Sequence, residues 1–382
     1  MNRCTKKYSS FTSVAKLSAA LYAIHVLFKD SLLKKRSVVV VTQSGGEYGI
    51  DVVDFALREA FPDRKIQYFS SNEYKKDIHG TYDLIIESCP TFQGADDVPC
   101  RFSGAPWVQF SGEALVSYAG RTWCQHTEPP IVRFDTSMKN EKSVYGSPLQ
   151  IWVPYACVYV LNKRDKFLER TVDEQAFLAR PYFLAWASSN CQEFRLKLWQ
   201  AIRTAAMSRN LTGIHSVGTC AHDHDVVSTT FWSNDELYSR YKFVLVAENT
   251  LEIGYVTEKI ATVLAAGAIP IYFGDSKAAK LIFNPESFID VAELFDEHQV
   301  DMDSPQAELL NLVAEQIIQT ALNKSRVQEL LKRSMLLQPQ YDPTSHTYRH
   351  YPPTCYETVP AAPQLTSHSS LLTRRLREKL AR

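Results

Sequence analysis

The 382-residue chain has no CxxC pair and no Cys/His run with metal-ligand spacing. Its eight cysteines (Cys4, Cys89, Cys100, Cys124, Cys157, Cys191, Cys220 and Cys355) are dispersed. That argues against a structural zinc and fits either a reducing compartment or a lumenal protein with one or two bridges. No Walker sequence, nucleophile elbow or GxGxxG is present; SGGEYG (44–49) has the glycines without the spacing. Net charge is also lacking, with 42 basic against 42 acidic residues, so the whole-chain field gives no reason to expect nucleic acid as a partner. Repeats and low-complexity tracts are absent too.

The chain also lacks a long apolar run. VAKLSAALYAIHVLF (14–28) is interrupted by Lys16 and His25 and falls short of the roughly 20 apolar residues of a spanning helix. Flanked by Arg3, Lys6 and Lys7 and by Lys34, Lys35 and Arg36, it reads as an amphipathic or membrane-proximal segment, or a signal anchor, and suggests contact with a membrane surface.

What is present is a repeated βα rhythm. SVVVVTQ (37–43) reads as a buried strand, SGG as a turn and YGIDVVDFALREAF (48–61) as a helix. KIQYFSS (65–71), YDLIIESCP (82–90) and PWVQFSG (106–112) read as further short strands. Residues 114–150 read as loops over the mouth of this lobe. A second run follows: strand FLAWASS (183–189), a helix over 193–208, strands GIHSV (213–217), KFVLVA (242–247) and AIPIYFG (268–274), and helices over 303–336. Near-continuous apolar strands of this kind predict parallel sheets covered on both faces. The expected organisation is an N-terminal membrane-proximal or amphipathic segment (1–35), two α/β lobes (36–165 and 166–340) and a proline-rich tail ending in a basic helix (341–382).

In open parallel sheets ligands bind beyond the carboxyl ends of the strands, where helix N-termini face them. AENTLEIGYVTEKI (247–260) occupies such a place and sets Glu258 and Lys259 in the first turn of a helix. A lysine there opposes the helix macrodipole; either it extends into solvent or an anion stands before it. Tyr255, Glu258, Lys259 and Thr262 share one side in projection, opposite the packing side Val256, Ile260, Val263 and Leu264. Arg195 repeats the arrangement after WASSN. Two cations at two helix N-termini of one sheet suit a doubly charged anion such as a nucleotide diphosphate. HDHD (222–225) offers a competing DxD pair, Asp223 and Asp225, for Mg²⁺ or Mn²⁺, although DMD (301–303) matches the same weak pattern. In the first lobe, Glu113 in QFSGEAL and Glu87 in LIIESCP are both carboxylates at strand ends, and position alone does not choose between them.

YKFVLVAENTLEIGYVTEKIATVLAAGAIPIYFGD (241–275), with NPESFIDV (284–291), resembles the donor-binding signature of the α1,3-fucosyltransferases. Weaker similarity reaches FLAWASSN…FR and FSGE, so the resemblance spans roughly residues 105–295. Ala247 stands where that family has phenylalanine, and Ala114 where it has a small polar residue. The resemblance implies a GT-B fold, with an acceptor lobe facing a GDP-fucose lobe across a cleft, and inverting transfer of L-fucose from GDP-β-L-fucose to a hydroxyl, expected to be O3, of GlcNAc in a glycan. It implies diphosphate binding by Lys259 and Arg195, a ribose and fucose side lined by Asn249, Tyr255 and Glu258, and Glu113 as general base. No metal would be obligatory, with Mn²⁺ or Mg²⁺ at most stimulating. The compartment expected is the Golgi membrane in a eukaryote, or the cytoplasm and the face of the inner membrane in a bacterium. The alternatives are a metal-dependent transferase of another nucleotide sugar and a glycan- or nucleotide-sugar-binding module without turnover.

Overall fold

The computed structural model describes residues 37–43, 149–163, 173–223, 234–298 and 306–336, shorter pieces between 50 and 136, residues 166–167, and the pairs 341–342 and 347–348. The segment 1–35, Glu113, Asp225 and the basic C-terminal stretch lie outside the described residues.

Six strands form the first sheet: β1 (Ser37–Gln43), β2 (Lys65–Ser70), β3 (Leu84–Glu87), β4 (Trp107–Ser111), β5 (Val132–Asp135) and β6 (Leu149–Trp152). They run parallel in the order β2-β1-β3-β4-β5-β6. The valine run of β1 is buried from Val38 to Val41, as a strand covered on both faces requires. Strands β5 and β6 correct the expectation of loops over 114–150. The strand VRFD escapes an apolar pattern because Arg133 and Asp135 are themselves buried, at 8% and 0% exposure. In register, Glu87, Gln109 and Arg133 stand side by side on neighbouring strands and all three are buried, so a polar row crosses the middle of the sheet.

The second sheet holds β7 (Tyr182–Trp186), β8 (Ile214–Ser216), β9 (Tyr241–Ala247), β10 (Ile269–Phe273) and β11 (Ile289–Asp290) in the order β11-β10-β9-β7-β8, again all parallel. The described helices are α1 (Tyr155–Asn162), α2 (Glu174–Leu178), α3 (Glu193–Met207), α4 (Asn234–Tyr238), α5 (Glu258–Ala265), α6 (Ser276–Ala279), α7 (Val291–His298), α8 (Ala307–Leu322) and α9 (Lys324–Lys332). Alternation along β9 builds two cores. Phe243, Leu245 and Ala247 pack with α3 and α8 through Trp199, Ile202, Val313 and Ile317. Val244 and Val246 face the other way, onto Ile260, Val263 and Leu264 of α5. Truncating a buried side chain such as Ile260 to alanine would cost about 2–5 kcal/mol, and it would be felt first by the helix that carries Lys259.

Helix α1 lies within the span read as first lobe, yet Ala156, Cys157, Tyr159 and Val160 belong to the core of the second sheet. Burial pushes the Tyr159 hydroxyl up to about 12. The backbone joins there as well: Ala156 N–H donates to Val256 O at 3.1 Å. Within the tail, β12 (Tyr341–Asp342) pairs antiparallel with β13 (Thr347–Tyr348). Among the described residues no helix is long and apolar enough to cross a membrane.

Candidate active site

The chain runs from β7 outward to β8, then returns to lay β9 on the opposite side of β7. The carboxyl ends of β7 and β9 therefore flank the point where strand order reverses, the place where open α/β sheets leave a crevice. Arg195 is the third residue of α3, which follows β7, and Lys259 is the second of α5, which follows β9.

Arg195 is not a solvated arginine: only 1% of it is exposed. One of its terminal nitrogens, Nη1, donates to Asn190 O at 3.1 Å and to Asn249 Oδ1 at 2.9 Å, tying the two strand-end loops together. Its Nε is buried without a hydrogen-bond partner among the described residues. Burial pulls the pKa of the guanidinium below its ordinary value, and Glu248 is the first of the neighbours that oppose the shift.

Glu248 is the residue that the sequence pattern did not single out. It is fully buried and held at the end of β9 by its N–H to Phe273 O at 2.8 Å. Its carboxylate accepts the Thr257 N–H at 2.9 Å and the Thr257 hydroxyl at 2.8 Å. Thr257 is in turn the N-cap of α5, so Glu248 satisfies an amide that the helix leaves without an intrahelical acceptor. The Lys259 ammonium lies 3.0 Å from Thr257 Oγ1, 3.4 Å from Glu248 Oε2 and 3.8 Å from Glu258 Oε1. The conflict of Lys259 with the macrodipole is thus first met by a buried carboxylate of the protein itself.

The face expected to line the mouth is mostly inside. Tyr255 and Thr262 are 1% and 2% exposed and Glu258 is 9% exposed, whereas the Lys259 side chain retains 26%. Thr262 Oγ1 donates to Glu258 O at 2.8 Å, and Asn249 is half-buried. The structure therefore gathers Arg195, Asn249 and Lys259 around Glu248 and sets Tyr255 and Glu258 behind them.

Two glycines make the approach possible. Gly254 has φ +84°, a conformation that glycine adopts at little cost. It donates to Asp275 Oδ2 at 2.7 Å and accepts from Trp152 Nε1 at 3.0 Å, so a residue of the first sheet grips the loop after β9. At Gly274 a Cβ would lie 2.4 Å from Tyr272 Oη and 2.7 Å from Glu248 Cγ. On the other side of the crevice Cys191 and Cys220 form a disulfide, and Cys220 N–H donates to Ser188 O at 2.9 Å. A Cβ on Gly218 would stand 2.2 Å from Ser188 N. Dispersed cysteine spacing carried no sign of which pair would meet.

The DxD alternative fares differently. Asp223 Oδ1 accepts the Ser216 N–H at 2.6 Å and Oδ2 pairs with Arg203 at 2.7 Å, so both oxygens tie down the loop after β8. No group of three or more metal-ligating side chains occurs among the described residues. In the first lobe Glu87 is fully buried.

Residues 178–302 match the family model described as glycosyltransferase family 10 (fucosyltransferase), C-terminal part. Over 67 residues the chain is 48% identical to the α-(1,3)-fucosyltransferase FucT of Helicobacter pylori, a stretch covering 17% of this chain and 14% of that protein. It is 26% identical over 197 residues to the 4-galactosyl-N-acetylglucosaminide 3-α-L-fucosyltransferase FUT5 of Gorilla gorilla gorilla, covering 50% of this chain and 46% of the relative. It is also 32% identical over 116 residues to an α-(1,4)-fucosyltransferase of Arabidopsis thaliana, covering 28% and 29%. The chain thus spans less than half the length of these curated relatives. A solved α1,3-fucosyltransferase structure with GDP-fucose superposes with a TM-score of 0.50 at 16% identity, covering 78% of this chain and 82% of that one. The architecture is accordingly the GT-B fold of two parallel-sheet lobes.

Proposed function

We propose that this chain, whose second lobe carries the family 10 fucosyltransferase domain, transfers L-fucose from GDP-β-L-fucose to a hydroxyl of a GlcNAc-containing glycan. The observation that carries the reading is the pairing of Arg195 with Asn249 across the sheet crossover, with Lys259 at the next helix N-terminus. Two cations held at a strand-order reversal are suited to a diphosphate, and they neutralise a leaving GDP by preorganised charge.

In this reading the acceptor hydroxyl approaches fucose from the side opposite GDP, and Glu113 of the first lobe takes its proton, so the anomeric centre inverts. O3 of GlcNAc is the acceptor atom expected from the resemblance. Asn249, Tyr255 and Glu258 serve the ribose and fucose side. No divalent cation is required for the charge neutralisation, and activity is expected to survive EDTA. The Cys191–Cys220 disulfide supports an oxidising, lumenal setting. The test is incubation with several GDP- and UDP-sugars plus N-acetyllactosamine, read by mass spectrometry. A deoxyhexose added only from GDP-fucose supports the proposal, and no addition from GDP-fucose overturns it.

A further inference from the structure

We infer that Glu248 is the positioning residue of the donor site: its buried carboxylate sets the hydrogen-bond polarity of Thr257 and thereby aims the Lys259 ammonium. The inference rests on the donor-binding reading for what Lys259 meets, but not for how Lys259 is held.

The argument follows from counting hydrogens. Thr257 Oγ1 carries one proton, and it points at Glu248 Oε2, 2.8 Å away. The lone pairs of Thr257 Oγ1 are then left to accept, from Lys259 Nζ at 3.0 Å and from the Lys259 N–H at 3.4 Å. An ammonium has three donors and no acceptor, so this polarity is the one that Lys259 can use. Glu248 adds its own charge at 3.4 Å from the same ammonium and is the first neighbour to support Arg195. One fully buried anion therefore serves two cations and one helix cap, and an unpaired carboxylate at that depth would be costly.

Glutamine has nearly the same shape but the wrong donors. With its oxygen on the Thr257 N–H, its amide nitrogen faces the Thr257 hydroxyl, which must then accept and turn its own proton toward an ammonium. Lys259 would lose its nearer counter-charge, with Glu258 left at 3.8 Å, and its aim. The flipped amide is no better, because it sets its NH2 against the Thr257 N–H, donor against donor.

The test compares wild type with Glu248→Gln, Thr257→Val, Thr257→Ser and the Glu248→Gln/Thr257→Val pair, all on folded full-length protein. GDP binding by calorimetry is expected to weaken about fivefold to thirtyfold in each of the first two variants. It should stay close to wild type in Thr257→Ser, and the pair should be no weaker than the worse single variant within about twofold. A second readout needs no nucleotide: acylation of Lys259, followed at the peptide level by mass spectrometry, should be faster in Glu248→Gln because the ammonium has lost the nearer of its two carboxylates. GDP affinity that is unchanged or tighter in Glu248→Gln, or full additivity in the pair, overturns the inference. If wild type fails to bind GDP, the donor reading falls instead, and the positioning role then stands or falls on the acylation rates. Should Glu248→Gln not fold, the contrast between Thr257→Val and Thr257→Ser decides, since equal GDP affinity in the two removes the hydroxyl relay.

Discussion

Arg195 Nη1 and Asn249 Oδ1 meet at 2.9 Å, joining the first turn of the helix after β7 to the loop after β9. The contact crosses the reversal point of the second sheet and ties the two loops together. Asn249→Ala leaves the guanidinium with Asn190 O alone among these acceptors, at 1% exposure. A hydrogen bond to a charged group is worth about 1.5–3 kcal/mol. GDP binding is expected to weaken about tenfold, and calorimetry showing equal affinity in a folded variant would dismiss the pairing as a binding feature.

Lys259→Ala should weaken GDP and GDP-fucose together, since both carry the diphosphate. Because a quarter of the side chain is exposed, the lower end of the charge-assisted range applies, which is roughly a tenfold loss. A loss confined to GDP-fucose would place Lys259 at the sugar instead.

The disulfide is expected to matter twice. Replacing Cys191 and Cys220 with serine removes a cross-link over 29 residues and should cost about 2–4 kcal/mol of stability. It should also loosen Asn190, whose carbonyl holds Arg195. A lower melting temperature accompanied by weaker GDP binding fits both roles, while a lower melting temperature with unchanged GDP binding would confine the bridge to stability.

Gly274→Ala drives a methyl against Tyr272 Oη and Glu248 Cγ, both fully buried. Overpacking of this kind costs about 1–3 kcal/mol. Thermal denaturation should show that loss, and GDP affinity should fall with it because Glu248 is displaced. A variant as stable as wild type would mean that the surroundings yield more readily than their burial suggests.

The second lobe was legible because its central strands are nearly all apolar: in β9 and β10 every residue except Lys242 is buried. The first lobe was less so. The strands after 130 put Arg133 and Asp135 into the interior, and a buried ion pair at 3.4 Å cannot be told from a solvated one by residue type. The placement of Arg195 and Lys259 in the first turns of helices that follow strand ends was legible. Their organiser, Glu248, was not, because a glutamate in a polar loop is ordinarily solvated. The threonine before Glu258 was the available signal, since an N-cap is a position that recruits partners.

The proton acceptor is the last prediction. Sugar hydroxyls are very weak acids, so transfer without a base should be slow, and a positioned general base typically contributes about 10²–10⁴-fold. Two first-lobe carboxylates compete. Glu113 lies outside the described residues, and Glu87 sits at the end of β3 with no exposure, in register with Gln43 on one side and Gln109 on the other. A carboxylate sealed into a polar row would have to be uncovered before it met an acceptor hydroxyl, and this favours Glu113 for the chemistry and Glu87 for holding the sheet. Glu113→Gln should therefore lower kcat by about 10²–10⁴ with GDP affinity little changed. Glu87→Gln should lower thermal stability and leave kcat within a few-fold in protein that remains folded. The opposite pattern, with kcat near wild type in Glu113→Gln and collapsed in a stable Glu87→Gln, would transfer the role of base to Glu87.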